Sequence, residues 1–345
     1  MQDAFRTPTG SGKDVMQRLQ RFSRWVEKRP LALSLLAIVI ATGVTVLMAN
    51  AAGLHAVRGV LDRFDPIWLL PLLLARVISY AGYTAAHHAT IRPGRHKAPR
   101  LRTAFKTVAF GAAATSLAGG FSIDHRAMRG AGATSRQATV RVLNLGALEL
   151  ATLALAGWAS ALALLGAPHV QLVVTVPWVV GVPVGCVLAL SGSARLSARS
   201  LARKGRIGRA LARVLEAGDL MREQLRHPLR CGAAWSGMVA YWAGEILSLW
   251  AALRLFGQHP AVAAVILAYA TGHVLTPRSL PLSGVGVTEV LLPLALASTG
   301  IALAAAVPAV FAYRIALLAL SIPPALIAHK DVMRLIAPKP RPGVT

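Results

Sequence analysis

The strongest constraint in this sequence is an alternation: long runs without charge are separated by short blocks that are almost purely basic. Residues 31–49, LALSLLAIVIATGVTVLMA, hold no charged side chain, while residues 91–106, IRPGRHKAPRLRTAFK, hold six Lys/Arg and no acid. About 20 apolar residues in helical form match the hydrocarbon thickness of a bilayer. In that layer the backbone must satisfy its own polar groups, so a helix is the form open to such a run. Composition agrees, since 55% of the residues are apolar and 14% charged, too few for the polar surface a soluble 345-residue chain needs. The net charge of +24 sits between the apolar runs, as the positive-inside rule expects. A nucleic-acid partner is therefore not expected.

The same pattern predicts the organisation. Residues 1–30 carry seven Lys/Arg against three acids, with Val15, Leu19, Phe22 and Val26 at helical spacing, and read as a basic amphipathic helix on the membrane surface. A first transmembrane half, 31–191, contains spans at 31–49, 66–90, 141–166 and 170–190; a connector at 50–65 is electrically neutral and faces outward. A cytoplasmic linker, 192–230, holds ten Lys/Arg against three acids within 194–230, and its stripe of Ile207, Leu211, Val214 and Leu215 predicts a second surface helix. The second half, 231–330, contains spans at 231–256, 260–276 and 304–328, and 331–345 is a basic tail. With both ends basic, both termini are expected in the cytoplasm of a bacterial inner-membrane protein.

Two segments do not cross cleanly. Residues 104–138 are short of apolar length and break at Gly119-Gly120; the stretch SLPLSGVGVTE, with Gly284 and Gly286, is too rich in Gly and Pro for a continuous helix. Each break is followed by an acid, Asp124 or Glu289, and then by an arginine, Arg141 or Arg314, although the acid-to-arginine spacings of 17 and 25 residues differ. Interrupted helices at matching places in two oppositely oriented halves point to a midplane transport site. The predicted architecture is an all-α polytopic bundle of about eight membrane segments, as two inverted halves that each contain a broken or re-entrant hairpin.

Nine of the thirteen acids lie in water-facing segments; the other four are Asp124, Glu149, Glu245 and Glu289. A charge near the bilayer centre costs about 2.5–3.5 kcal/mol on insertion scales, so each needs a partner or a wet cavity. Arg76, Arg278 and Arg314 are the candidate partners, with Arg141 and Arg254 closer to helix ends, where snorkelling explains them. Glu245, in AYWAGEILSLW, reads equally well as a structural ion pair or as part of a site.

Sharper motifs fail. TGSGKD at 9–14 lacks the first glycine of a phosphate loop and has Asp14 where Ser or Thr is needed. The adjacent His87 and His88 would point apart and read as interfacial, and His273 reads as a hydrogen-bonded core histidine. No catalytic constellation, metal set or cofactor motif is expected.

The stretch from Pro281 through Gly284-Val-Gly286-Val-Thr-Glu289 and Gly300 to Arg314 resembles the lysylphosphatidylglycerol synthase transmembrane region, a flippase-like family. LAGGFSIDHRAMRGAG is a looser match in the first half, and Leu282-Ser283 stands where the family commonly has Pro-Gly. The resemblance implies a membrane domain that moves a phospholipid, anionic or aminoacylated, between leaflets. Only about 17 residues follow the last span, so a stand-alone translocase is expected, with any lipid-synthesising enzyme a separate partner and the oligomeric state open. Arginine suits a phosphodiester because its planar fork binds two oxygens at once. Two rival readings are a membrane-embedded lipid or polyprenyl-phosphate transferase and a non-transporting partner of a cell-envelope enzyme.

Overall fold

A computed structural model describes residues 30–91, 104–105, 108, 124–125, 128–129, 133–192, 205–226, 231–276 and 285–336. The N-terminal amphipathic segment, Gly119, Gly120, Arg278 and Gly284 lie outside the described residues. The described residues form ten α-helices and no strand: α1 (Pro30–Ala52), α2 (Leu54–Leu61), α3 (Leu69–Ile91), α4 (Ser135–Ala163), α5 (Leu172–Gly192), α6 (Gly205–Arg226), α7 (Gly232–Leu255), α8 (Val262–Val274), α9 (Thr288–Ser298) and α10 (Leu303–Ile336). The molecule is an all-helical polytopic membrane protein.

Among the described residues, three helical stretches are long and apolar enough to cross a bilayer, Pro66–Thr90, Ser135–Ala163 and Leu303–Leu320. A fourth is added if α1 and α2, bent by 107° at Gly53, count as one broken span. The bend sits where Gly53 takes φ 90°, a backbone region glycine enters without steric cost. The neutral connector is thus helical in part, with Val57 of α2 buried. Helix α7 falls below that hydropathy because Trp235, Tyr241, Trp242, Glu245 and Trp250 interrupt its apolar run, yet 13 of its 24 residues are buried.

Lipid replaces water as the outer solvent of this bundle. Val39, Leu47, Leu70, Val173 and Val187 are exposed, whereas Trp242, Leu249, Leu253, Val265 and Leu296 are buried between α7, α8 and α9. Helices α3 and α7 approach closely because small residues face each other. A Cβ added at Gly244 would lie 2.4 Å from the Ser79 nitrogen, one at Gly82 2.4 Å from the Tyr241 nitrogen, and one at Gly237 2.6 Å from the Ala86 nitrogen. Without a hydrophobic drive between helices in lipid, such close contact is a main source of association.

Loop contacts set the ends. Thr134 and Gln137 form a reciprocal capping box that starts α4 six residues before the expected entry at 141, which puts Arg141 in its second turn. Asp65 N donates to Leu255 O at 2.8 Å and ties the start of α3 to the end of α7. Arg254 lies over the rings of Trp68 and Trp250, at 4.5 and 5.5 Å, as an end-of-span arginine with an aromatic cover. Helix α6 packs on α4, but the expected stripe is corrected at Val214, which is 53% exposed while Ala212 and Ala217 are buried. Small side chains bring α6 close, Met221 packs against the main core, and Val214 faces away.

Helix α8 has only 13 residues, about 20 Å of rise, and ends at Val274, and α9 begins at Thr288. The expected interruption near Gly286 is therefore present: Val285–Val287 form a turn and Gly286 takes φ 91°. Helix α9 then runs 11 residues to a second glycine turn at Gly300, from which the 34-residue α10 departs.

Candidate functional site

The four acids placed inside the membrane by their apolar surroundings are all buried: Asp124 4%, Glu149 2%, Glu245 4% and Glu289 2% exposed. Each stands against a basic side chain from another part of the chain: Arg314 with Glu289, Arg76 with Glu245, His87 with Asp124 and His273 with Glu149. Burial is tolerable for a carboxylate when charge and hydrogen bonds replace its water.

At the break, Glu289 is the second residue of α9. Its Oε2 accepts from the Gly286 nitrogen at 2.6 Å, and its Oε1 accepts from Arg314 Nε at 2.7 Å. One oxygen thus fixes the glycine turn while the other holds the last long helix, and the carboxylate charge sits at a helix N-terminus, where it is favoured. The turn is covered by α1, whose Ile40 and Val44 side chains lie 3.5 and 3.8 Å from where a Gly286 Cβ would be. Arg314 keeps 11% of its side-chain surface exposed, against 1% for Glu289. Its Nη groups, the prongs of the guanidinium fork, have no acceptor among the described residues.

One residue earlier on α10, Tyr313 points to a different carboxylate. Glu245 Oε2 accepts from Tyr313 OH at 2.5 Å and Tyr269 OH at 3.2 Å, and Oε1 accepts from Ser79 Oγ at 2.6 Å. Arg76 Nη1 stands 2.5 Å from Oε2, at an angle outside hydrogen-bond geometry, and the Arg76 Nε has no hydrogen-bond partner. Arg76 is 2% exposed and lies beside the Tyr313 ring, 5.5 Å from its centre. This set joins α3, α7, α8 and α10, and closes the bundle from inside.

The third acid, Glu149 on α4, has His273 Nε2 at 4.0 Å from its Oε1. Trp242 bridges them: its Nε1 donates to the Glu149 carbonyl oxygen at 2.9 Å and its ring meets His273 edge-on, 4.9 Å between centres. On α8, Tyr269 and His273 are one turn apart and stacked, at 6.0 Å. The fourth acid corrects one reading, that of His87. Asp124, set beside Arg141 as a first-half counterpart of Glu289 and Arg314, is held by His87 Nε2 at 3.0 Å. His87 is 1% exposed, so it is a buried partner and not an interfacial side chain. Arg141 itself is half-buried on α4.

The sequence signals for Glu289 and Arg314 were strong because both are charges in apolar runs beside a glycine break. Ser79, Tyr269 and Tyr313 carried weaker ones, being hydroxyls that apolar helices often hold. Ser79 lies one turn beyond Arg76, and Tyr313 adjoins Arg314, which are the signals that mark them. Among the described residues no three His, Cys, Asp or Glu side chains converge as a metal set.

The sequence profile of the family described as the lysylphosphatidylglycerol synthase TM region matches residues 34–324. No curated protein matches the chain significantly.

Proposed function

The chain belongs to the lysylphosphatidylglycerol synthase TM region family, and from that premise we propose that it moves a phospholipid, or another lipid-linked anion, between the leaflets of a bacterial inner membrane. The observation that carries this reading is the Arg314–Glu289 pair at the broken segment between α8 and α9. A lipid headgroup crossing hydrocarbon needs polar groups beside a lipid-facing surface, and a broken helix supplies backbone donors as well as side chains. Arg314 offers its Nη fork to a phosphodiester while Nε stays on Glu289. Glu289, with its second oxygen on Gly286, positions the arginine and restores its partner when no lipid is bound. A cationic headgroup, such as an aminoacyl group, has Glu289 as its counter-charge.

Around that centre, Gly286 permits the turn, and Gly284 and Arg278, which precede it in the sequence, complete the proposed set. In the first half Gly119, Gly120, Asp124 and Arg141 form the corresponding set, with both termini and the linker 192–230 cytoplasmic. Glu245 and Arg76 stabilise the bundle beside the path. Reconstitution into liposomes carrying a labelled anionic phospholipid in one leaflet tests the proposal. Label should become accessible in the other leaflet at a rate that scales with protein content. A rate equal to that of protein-free liposomes would refute it, and a chemically altered lipid would point to a transferase.

A further inference from the structure

We propose that His273 and Glu149 form a proton-binding site that couples proton movement to lipid movement; the coupling rests on the function proposed above. His273 is the penultimate residue of α8, the short helix that ends at the break. The C-terminus of a helix carries partial negative charge and favours a cation in its last turn. Glu149 Oε1, 4.0 Å from His273 Nε2, adds a full negative charge from α4. The two differ in access: the His273 side chain is 21% exposed and that of Glu149 3%. The imidazole is thus the accessible member of the pair, and the carboxylate that would hold its proton is the buried one.

Trp242 holds this geometry through its bond to the Glu149 carbonyl and its edge contact with the imidazole. Among the described residues, the other titratable groups facing His273 include Tyr269, stacked on it, and behind Tyr269 the Glu245, Tyr313 and Arg76 set from α7, α10 and α3. From α9 the neighbour at this level is Leu292, against Gly272, and from α5 it is Trp178, bonded to Thr271, neither of them charged. The step is a balanced one. Imidazole Nε2 accepts a proton from hydronium, leaving water and an imidazolium paired with Glu149; release to water on the other side reverses it. Histidine is the side chain whose charge changes between about pH 5 and 8, the range a membrane gradient spans. Because α8 packs against α9, with Gly272 beside His273 meeting Leu292, charging its last turn acts on the helix whose Glu289 positions Arg314.

Two readouts on the full-length protein test this separately. The first needs no transport: tryptophan emission is followed from pH 8 to 5, and the trace of Trp242→Phe is subtracted to isolate Trp242. Acidification should quench that signal about twofold, His273→Gln should abolish the change, and Glu149→Gln should diminish it. An unchanged quench in His273→Gln overturns the proton site. The second readout imposes a gradient of about one pH unit on liposomes. One proton per lipid shifts the steady-state leaflet ratio about tenfold in wild type. His273→Gln should remove that shift while keeping downhill exchange. A leaflet ratio that ignores the gradient in wild type overturns the coupling. If wild type moves no lipid under any condition, the translocation reading falls and takes the coupling with it, while the emission titration still decides the proton site.

Discussion

The two carboxylate oxygens of Glu289 are bound by different elements, the Gly286 turn and Arg314 of α10, whereas the oxygens of Glu245 are enclosed by Ser79, Tyr269, Tyr313 and Arg76. The pairs look alike in sequence, each an acid and an arginine in apolar runs, but they differ in access. Arg76 is 2% exposed and Arg314 9%. Removing a partner from a dry buried pair costs about 3–5 kcal/mol, because the remaining charge is uncompensated. Arg76→Ala should therefore lower the Tm in detergent by much more than Arg314→Ala, and adding Glu245→Leu to Arg76→Ala should recover part of the loss. Thermal melts of the three variants measure this. Equal losses from the two arginines would make both pairs structural. The charge pattern made Arg314 and Glu289 legible as a pair 25 residues apart. It left the partner of Glu245 open, because Arg76 lies in the other half and only the fold brings it near.

Helices α3 and α7 meet through Gly82, Gly237 and Gly244, where a side chain would strike the partner's backbone. Gly244→Val should force the helices apart, which costs about 1–3 kcal/mol for overpacking, and should move the adjacent Glu245 away from Ser79 and Arg76. Gly181, on exposed α5 with open space around its Cβ position, is the matched control, and Gly181→Val should leave the Tm nearly unchanged. Melting curves of both proteins decide the matter, and equal shifts would contradict the close-packing account. These elements were legible to different degrees. The runs 66–90 and 231–256 became α3 and α7 within a few residues, since apolar length fixes a helix in lipid. The helix α2 was not, because its eight residues are too few and too mixed to show a span, and its direction depends on the Gly53 bend. The pairing of α3 with α7 across the two halves was hidden as well, since small residues mark an interface without naming the partner.

Taken whole, the chain keeps its charges on two levels: basic blocks between the apolar runs of the sequence and paired acids buried inside the described bundle. The charge count predicts that position 98, in a block of six Lys/Arg, and position 258, in an uncharged tip, lie on opposite sides. In a background without Cys186 and Cys231, a membrane-impermeant thiol reagent applied outside the cell should label Gln258→Cys and not Ala98→Cys. The reverse pattern would invert the molecule. The proposed function stands on whether lipid moves through Arg314. The most direct measurement compares wild type, Arg314→Lys and Arg314→Ala in one leaflet-exposure assay with a labelled anionic phospholipid, each variant matched for reconstituted amount and Tm. Lysine keeps the charge but not the two-pronged fork, so both variants should fall to the rate of protein-free liposomes while remaining folded. An Arg314→Lys protein as active as wild type would contradict the phosphate-binding role, and with it the central claim.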